Sequence, residues 1–260
     1  MKNYKAFLLT INGVCHYCLL LLKFNNMTGK LFLIPSFLGT ENPNEVFPTY
    51  NYEIVRTITY FIVEDERTAR RFLKRLVPEI IIDNLKFNLL NEHTNPQEIS
   101  NFLNPCKDEN IGLISDAGVP CVADPGAIIV QMAHQKGIDV IPLIGPSSIL
   151  LALMGSGLNG QSFAFNGYLP VQKSERTKMI KFLEKRSLAE NQSQLFIEAP
   201  YRNNQLLDDI YQTCEPETLL CIACDLTLPS QVLKTDSIKS WKTKKPDFHK
   251  RPAIFVLKRN

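Results

Sequence analysis

Four polar knots hold the side chains whose types and spacing could do chemistry. Ser115-Asp116-Ala117-Gly118-Val119-Pro120 directly follows the apolar run Ile111-Gly112-Leu113-Ile114, and Gly145-Pro146-Ser147-Ser148 follows Ile138 to Ile144. Glu64-Asp65-Glu66-Arg67 follows Tyr60-Phe61-Ile62-Val63, and Glu198 to Arg202 follows Gln194 to Ile197. Glycine at Gly118 and Gly126 permits backbone angles or close approaches that a Cβ would forbid, and N–H groups freed there can meet a carboxylate or phosphate. Glu64 and Asp65 admit two readings: charges that suit a helix N-terminus, or, with Arg67, groups that face a cleft. Glu198 and Arg202 read either as site groups at a strand's end or as an internal ion pair. His93, in the loop Asn91-Glu92-His93-Thr94, is a candidate base or substrate contact, although a lone loop histidine is more often structural. No GxxxxGK[ST] occurs, so nucleotide hydrolysis is disfavoured.

These knots need a frame, and the apolar punctuation supplies one. From Ile111 to Gly157 the pattern is strand, glycine loop, helix, strand, glycine loop, helix. Asp124 and Pro125 read as the cap and first turn of the first of these helices, with Gly137 as its C-cap. Strands alternating with helices of this length predict a parallel α/β sheet, and ligands bind such sheets at the carboxyl ends of the strands. Leu31 to Ile34 is a further strand, left through Pro35-Ser36-Phe37-Leu38-Gly39-Thr40. Ala69, Phe72, Leu73, Leu76 and Val77 trace one face of an amphipathic helix, and Asn95, Pro96 and Glu98 read as a cap, a first helical residue and a capping-box partner. In the second half, strands are expected at Ser162 to Phe165, Gln194 to Ile197, Leu219 to Ala223 and Ile254 to Leu257. Helices are expected at Glu175 to Arg186 and around Leu206, Leu207, Ile210 and Tyr211. Cys221 and Cys224, three apart on a strand, would point to opposite faces and so are read as buried free thiols. Two α/β domains follow, residues 27–147 and 148–260, with the change-over between residues 146 and 162.

Composition narrows the class. At 260 residues the chain is comfortable for two domains, and 45% apolar content is that of a globular protein. Twenty-nine basic against twenty-six acidic residues give +3, too small a bias to imply nucleic-acid binding by itself. Seven cysteines, an odd and scattered number, point to a reducing, cytoplasmic compartment. Between Lys234 and Arg251, seven basic residues meet two acidic ones, with Trp241, Phe248 and His249 interspersed. That stretch reads as an RNA-facing strip or as a solvated connection before the last strand. Residues 1–26 form an extension, with Met27 as an alternative start and an additional strand or helix as the other reading. Phe7 to Phe24 is largely apolar, but Asn12, His16 and Lys23 interrupt it and no Ala-x-Ala site follows, so a membrane anchor ranks last. Cys15-His16-Tyr17-Cys18 is a lone CxxC without a second pair, and no metal is expected.

Leu113 to Pro120, followed by Ala123-Asp124-Pro125-Gly126, resembles the S-adenosylmethionine-dependent tetrapyrrole methylase superfamily, in the branch that includes the bacterial 16S ribosomal RNA ribose 2′-O-methyltransferase. Pro142-Leu143-Ile144-Gly145-Pro146-Ser147-Ser148 is similar to that branch's P-L-P-G-P-S-A run, and Ser156-Gly157-Leu158 to its S-G-L. Phe165-Asn166-Gly167-Tyr168-Leu169-Pro170 is similar to F-x-G-[FY]-L-P, Glu64 to Arg67 to A-E-D-T-R, and Phe196 to Arg202 to F-Y-E-S-x-H-R. The resemblance runs over residues 29 to 258. It implies two α/β domains, a parallel-sheet N-terminal one and a mixed-sheet C-terminal one, with the cofactor cleft between them, in a homodimer. It also implies S-adenosylmethionine contacts at Pro35, Ser115, Asp116, Ala117, Gly118, Ser147, Ser148, Tyr168 and Leu169, with Pro252, Ala253 and Ile254 beside the adenine. Glu64, Asp65, Arg67, Glu198 and Arg202 are the candidates for catalysis.

The departures bear on the acceptor. Pro35-Ser36-Phe37-Leu38-Gly39-Thr40 stands where the branch has P-T-P-I-G-N, Val119 where it has threonine, and Lys250-Arg251-Pro252-Ala253-Ile254 where it has K-G-E-x-V. The chain also resembles a shorter subgroup of Bacteroides-like bacteria with N-E-H-T and G-P-S-S-I-L-L-A. Three functions stay open here: methylation of ribosomal RNA at the ribose 2′-hydroxyl with RNA or the small ribosomal subunit as partner, methylation of a tetrapyrrole or other small molecule, and cofactor binding without catalysis.

Overall fold

The computed structural model describes residues 10–11, 14–15, 28–39 and 42–260. Thr10–Ile11 pairs antiparallel with Val14–Cys15. The remainder of the expected extension, including Cys18 and His16, lies outside the described residues.

Five strands form a wholly parallel sheet: β1 (Leu31–Ile34), β2 (Tyr60–Val63), β3 (Lys86–Leu89), β4 (Ile111–Ile114) and β5 (Val140–Pro142). Their order is β3-β2-β4-β1-β5. Helices α1 (Pro43–Val46) and α2 (Thr49–Val55) follow β1, α3 (Glu66–Leu76) follows β2, α4 (Pro96–Ile99) follows β3 and α5 (Ala127–Gln135) follows β4. Both faces are covered at the centre of the sheet, which is why β1, β2 and β4 read as unbroken apolar runs, whereas the edge strand β3 carries Lys86 and Asn88. Phe32, Ile34, Phe61 and Val63 pack with Ala69, Phe72, Leu73 and Leu76 of α3. Leu31, Ile62, Ile111 and Leu113 pack with Ile129 and Ala133 of α5 on the other face. At the sheet's centre a Cβ on Gly112 would come within 2.6 Å of Ile34 Cδ1 and 2.7 Å of the Phe61 ring, so only glycine lets those two side chains meet over β4. Because β4 returns between β2 and β1, the loops after all three strands converge on one edge.

One expected cap is corrected. Helix α5 starts at Ala127 with Gly126 as its N-cap and no side-chain capping bond, so Asp124 and Pro125 do not open it. Asp124 instead accepts the N–H groups of Cys121 (2.9 Å) and Gly126 (2.7 Å), folding the loop on itself where Cys121 and Ala123 take positive φ. Gly137, just past the helix, has φ +69°, as a glycine there should.

The second sheet is mixed. After α6 (Ser148–Ser156) come β6 (Phe163–Tyr168), α7 (Lys173–Ala189), β7 (Ser193–Ile197), α8 (Asn203–Thr213), β8 (Leu219–Cys224), β9 (Val232–Ser237), α9 (Ile238–Lys244) and β10 (Ala253–Lys258). The order is β9-β8-β10-β7-β6, with β6 and β7 parallel and the other pairs antiparallel. Side chains alternate between covers. Leu195, Cys221, Ala223, Ile254 and Val256 pack on α6, whereas Phe196, Leu220, Ile222, Cys224, Phe255 and Leu257 pack on α7, α8 and α9. Cys221 and Cys224 therefore do face opposite sides, and burial pushes both thiols up, Cys224 to about 11. Since Ile149, Ala152 and Leu153 pack on the second sheet, we propose residues 147–148 as the change of domain.

The basic stretch from Lys234 to Arg251 is neither a bare connection nor an aromatic strip on the surface. It holds β9 and α9, and its aromatic residues Trp241 and Phe248 are 3% and 1% exposed. Trp241 donates its indole N–H to the Leu220 carbonyl at 2.8 Å. The large rings close the core, and the lysines are left on the outside.

Candidate functional site

β10 runs antiparallel to β7 and β8, with Ile254 opposite Ile197 and Ala253 opposite Cys224. The carboxyl ends of β6, β7 and β8 therefore lie beside the amino end of β10 on a single edge. That edge faces the loops after β1, β2 and β4 across a cleft of about 330 Å³, within the ~300–1,000 Å³ of small-molecule sites. Leu38, Glu64, Ser115, Asp116, Ala117 and Asp124 form one wall. Tyr168, Glu198, Pro200, Asp225, Pro252 and Ala253 form much of the other, and Ser148 and Ile149 reach in from the start of α6.

Two loops of the first domain are tied reciprocally. Glu64 Oε1 accepts the Asp116 N–H at 3.1 Å and the Ser115 hydroxyl at 3.4 Å, and the Asp65 N–H donates back to the Asp116 carboxylate. Burial pushes the Glu64 carboxyl above its usual range, with the charges of Asp124 and Asp116 adding to it against the opposing Asp116 N–H bond. Burial also raises Asp116, helped by Asp65 and Asp124. Across the cleft Asp225, at φ +51°, accepts from Arg251 Nε (2.8 Å) and Ser230 Oγ (2.9 Å). Glu198 is 4% exposed; its Oε1 accepts from its neighbour's Ala199 N–H (2.7 Å) and from Arg202 Nε (2.9 Å) and Nη2 (2.6 Å), while Oε2 has no partner. The nearby guanidinium groups are thus committed to Glu198 and Asp225. Among the described residues Glu64, Asp116 and Asp124 have no ion pair. A chamber of this sign suits a small cation.

Of the expected site residues, the cleft brings together Glu64, Ser115, Asp116, Ala117, Ser148, Tyr168, Glu198, Pro252, Ala253 and Ile254. The others sit behind the wall or at the rim. Asp65 is exposed and caps α3 by accepting the Thr68 N–H at 2.7 Å, and Arg67 is exposed on the first turn of that helix. Arg202 lies beyond Glu198. Pro35 is buried where a Cβ on Gly145 would strike it, and Gly118 stands behind Ala117, its carbonyl accepting the Ser36 N–H at 2.9 Å. Ser147 caps α6, and Leu169 belongs to the second core. His93 is on an exposed loop outside the cleft lining. Leu38, Asp124 and Asp225 line the cleft without having been expected there. Asp225 carries the signal that pointed to Glu64, Ser115 and Glu198, a polar residue straight after an apolar strand; the expected strand simply stopped two residues short of it.

Among the described residues no group of three or more His, Cys, Asp or Glu side chains is placed to hold a metal, and no helix is long and apolar enough to cross a membrane. No family model matches the chain. The chain is 30% identical over 232 residues to the ribosomal RNA small subunit methyltransferase I of Xylella fastidiosa, covering 88% of this chain and 80% of that one. It is 28% identical over 236 residues to the enzyme of that name from Buchnera aphidicola, covering 89% and 79%. Among solved structures, diphthine synthase superposes with a TM-score of 0.63 over 87% of this chain and 88% of that one at 15% identity. The methyltransferase CobJ superposes with 0.58 over 89% and 94% at 13% identity. These two likenesses are likenesses of fold.

Proposed function

The chain belongs to the family of bacterial ribosomal RNA small subunit methyltransferase I, and from that membership we propose that this S-adenosylmethionine-dependent methyltransferase acts on ribosomal RNA, at a ribose 2′-hydroxyl, in the cytoplasm. The observation that carries the reading is the acid-lined cleft between the two domains. The cofactor, when bound, supplies an electrophilic methyl group on a positively charged sulfur. The residues present fit such a group: Glu64, Asp116 and Asp124 place unpaired negative charge on one wall. The main chain of Ser115 to Ala117 and of Pro252 to Ile254, with Ser148 and Tyr168, lines the space around it. Glu198 is the base this reading assigns to the acceptor hydroxyl's proton: its Oε2 makes no other bond, and because that oxygen is buried the Glu198 to Arg202 turn must shift to present it. Arg202 holds the other oxygen and so fixes the direction in which that base points. Incubation with tritiated cofactor and purified small ribosomal subunits should label the RNA. Label recovered only in an added tetrapyrrole or other small molecule would overturn the acceptor, and no label in any acceptor would leave a binding protein.

The raised carboxyls give a signed prediction. Glu64 and Asp116 bind protons more tightly in the folded chain than in the unfolded one, so their contribution to stability falls as pH rises from the ordinary carboxylate range through their raised values. A cationic ligand needs the ionised forms, so affinity should rise over the same interval. Glu64→Gln keeps an acceptor for the Asp116 N–H but removes the charge. We expect it to melt no lower than wild type at neutral pH and to bind the cofactor about tenfold more weakly, about 1.4 kcal/mol. Its affinity should also vary less with pH in calorimetric titrations. A lower melting temperature with unchanged affinity would show that the charge serves the fold and not the ligand.

The same reading includes a homodimer. Leu150 and Met154, i and i+4 on α6, are 56% and 76% exposed, an apolar face that a second copy would cover. Light scattering at micromolar concentration should give twice the 29.6 kDa of one chain, and Met154→Asp should return the monomer mass. A wild-type mass of one chain ends the dimer.

A further inference from the structure

Two tyrosines stand unusually bare at the second-domain rim of the cleft. Tyr168 at the end of β6 is 62% exposed, and Tyr201, in the turn after β7, is 61% exposed. Tyr168 pairs with Ile197 across parallel strands, which sets it beside the Glu198 to Arg202 turn. The Arg202 guanidinium lies over the Tyr201 ring at 5.3 Å from its centroid. Lys250 donates its backbone N–H to the Pro200 carbonyl at 2.9 Å, bringing an exposed lysine to the same turn, with no ion pair to it among the described residues. Glu198, whose unpartnered oxygen is buried, opens the same turn.

Exposed aromatic faces, a guanidinium stacked on one of them and an uncommitted cation beside it are the parts with which proteins hold an unstacked base and its phosphate. A duplex displays its 2′-hydroxyls in the minor groove, but a carboxylate recessed in a cleft is reached more readily by the ribose of a single-stranded or extruded nucleotide. We propose that Tyr201, with Tyr168 and the Arg202 guanidinium, forms a stacking clamp for the base of a single-stranded or extruded RNA nucleotide, with Lys250 on its phosphate, which holds the adjoining ribose over Glu198. The inference deepens the ribosomal RNA reading and rests on it for the identity of the ligand. Tyr201 is a positioning residue here; it takes no part in the proton transfer.

The test uses the full chain and a fluorescein-labelled, single-stranded RNA 10-mer, read by fluorescence anisotropy, together with kinetics on small ribosomal subunits. Tyr201→Ala should weaken oligonucleotide binding about 5- to 100-fold and raise KM for the subunit. Tyr201→Phe should restore both, and cofactor affinity should stay as in wild type for both variants. Wild type should also bind the single strand more tightly than a duplex of the same length. Tyr201→Ala within twofold of wild type in affinity and KM overturns the clamp, as does equal binding of single and double strands or no measurable binding by wild type. The two readings separate cleanly. Subunit RNA methylated with Tyr201→Ala unaffected leaves the function and removes the clamp; Tyr201-dependent binding without methylation keeps the clamp and removes the function.

Discussion

Gly118→Val is expected to weaken S-adenosylmethionine binding by at least about a hundred-fold, about 2.8 kcal/mol, in a protein that remains folded. Gly118 has φ +75°, a left-handed conformation that costs a side-chain-bearing residue roughly 1–2 kcal/mol. Even a Cβ there would lie 3.1 Å from Leu38 Cδ2 and 3.2 Å from the Pro146 carbonyl oxygen. Leu38 lines the cleft, and the Gly118 carbonyl accepts the Ser36 N–H, so relief of the clash must move a wall of the site. Gly137→Val is the control. Its φ of +69° carries the same strain, but nothing lies within 4 Å of the added Cβ. It should lower the melting temperature comparably and leave calorimetric affinity unchanged. Equal affinity of Gly118→Val and wild type would reduce the loop to a turn and remove the main physical support for the cofactor site.

Glu198→Gln should lower kcat for methyl transfer by roughly 10²- to 10⁴-fold, the range for loss of a positioned base, with cofactor affinity within about threefold of wild type. The amide still fills the space and can accept from Arg202, but it cannot take a proton. Arg202 then loses its charged partner at 2.6 Å, so some loss of stability accompanies the change. Melting curves separate the contributions: at a temperature where Glu198→Gln is fully folded, the kinetic loss should persist. A variant that transfers methyl groups at the wild-type rate would assign Glu198 to the ion pair alone and point to another acceptor for the proton.

What could be read from the residues, and what could not, follows from how local the cause is. Gly118 in its loop and Gly137 past a helix are local causes, and each takes the positive φ that glycine allows. The apolar runs at Leu31 and Ile111 were plain because both faces of the parallel sheet are covered. β9 gave little signal because an edge strand with Lys234 and Asp236 on it is only partly buried along its length. Helix α9 buries only Ile238 and Trp241, too few for a visible period. Asp124 fits a helix cap by residue type, and only the positive φ at Cys121 and Ala123 turns its carboxylate back into the loop. Asp225 and its partner Arg251 are 26 residues apart, joined by the antiparallel return of β10, which no local pattern announces.

The most direct measurement is mapping of the methyl group in ribosomal RNA from a strain lacking this protein. Methylation at a ribose 2′-oxygen protects the adjoining phosphodiester from alkaline cleavage. One protected position in small-subunit RNA should vanish in the deletion strain, return with the wild-type chain and stay absent with Gly118→Val. An RNA whose ribose methylation is identical with and without the protein would contradict the account.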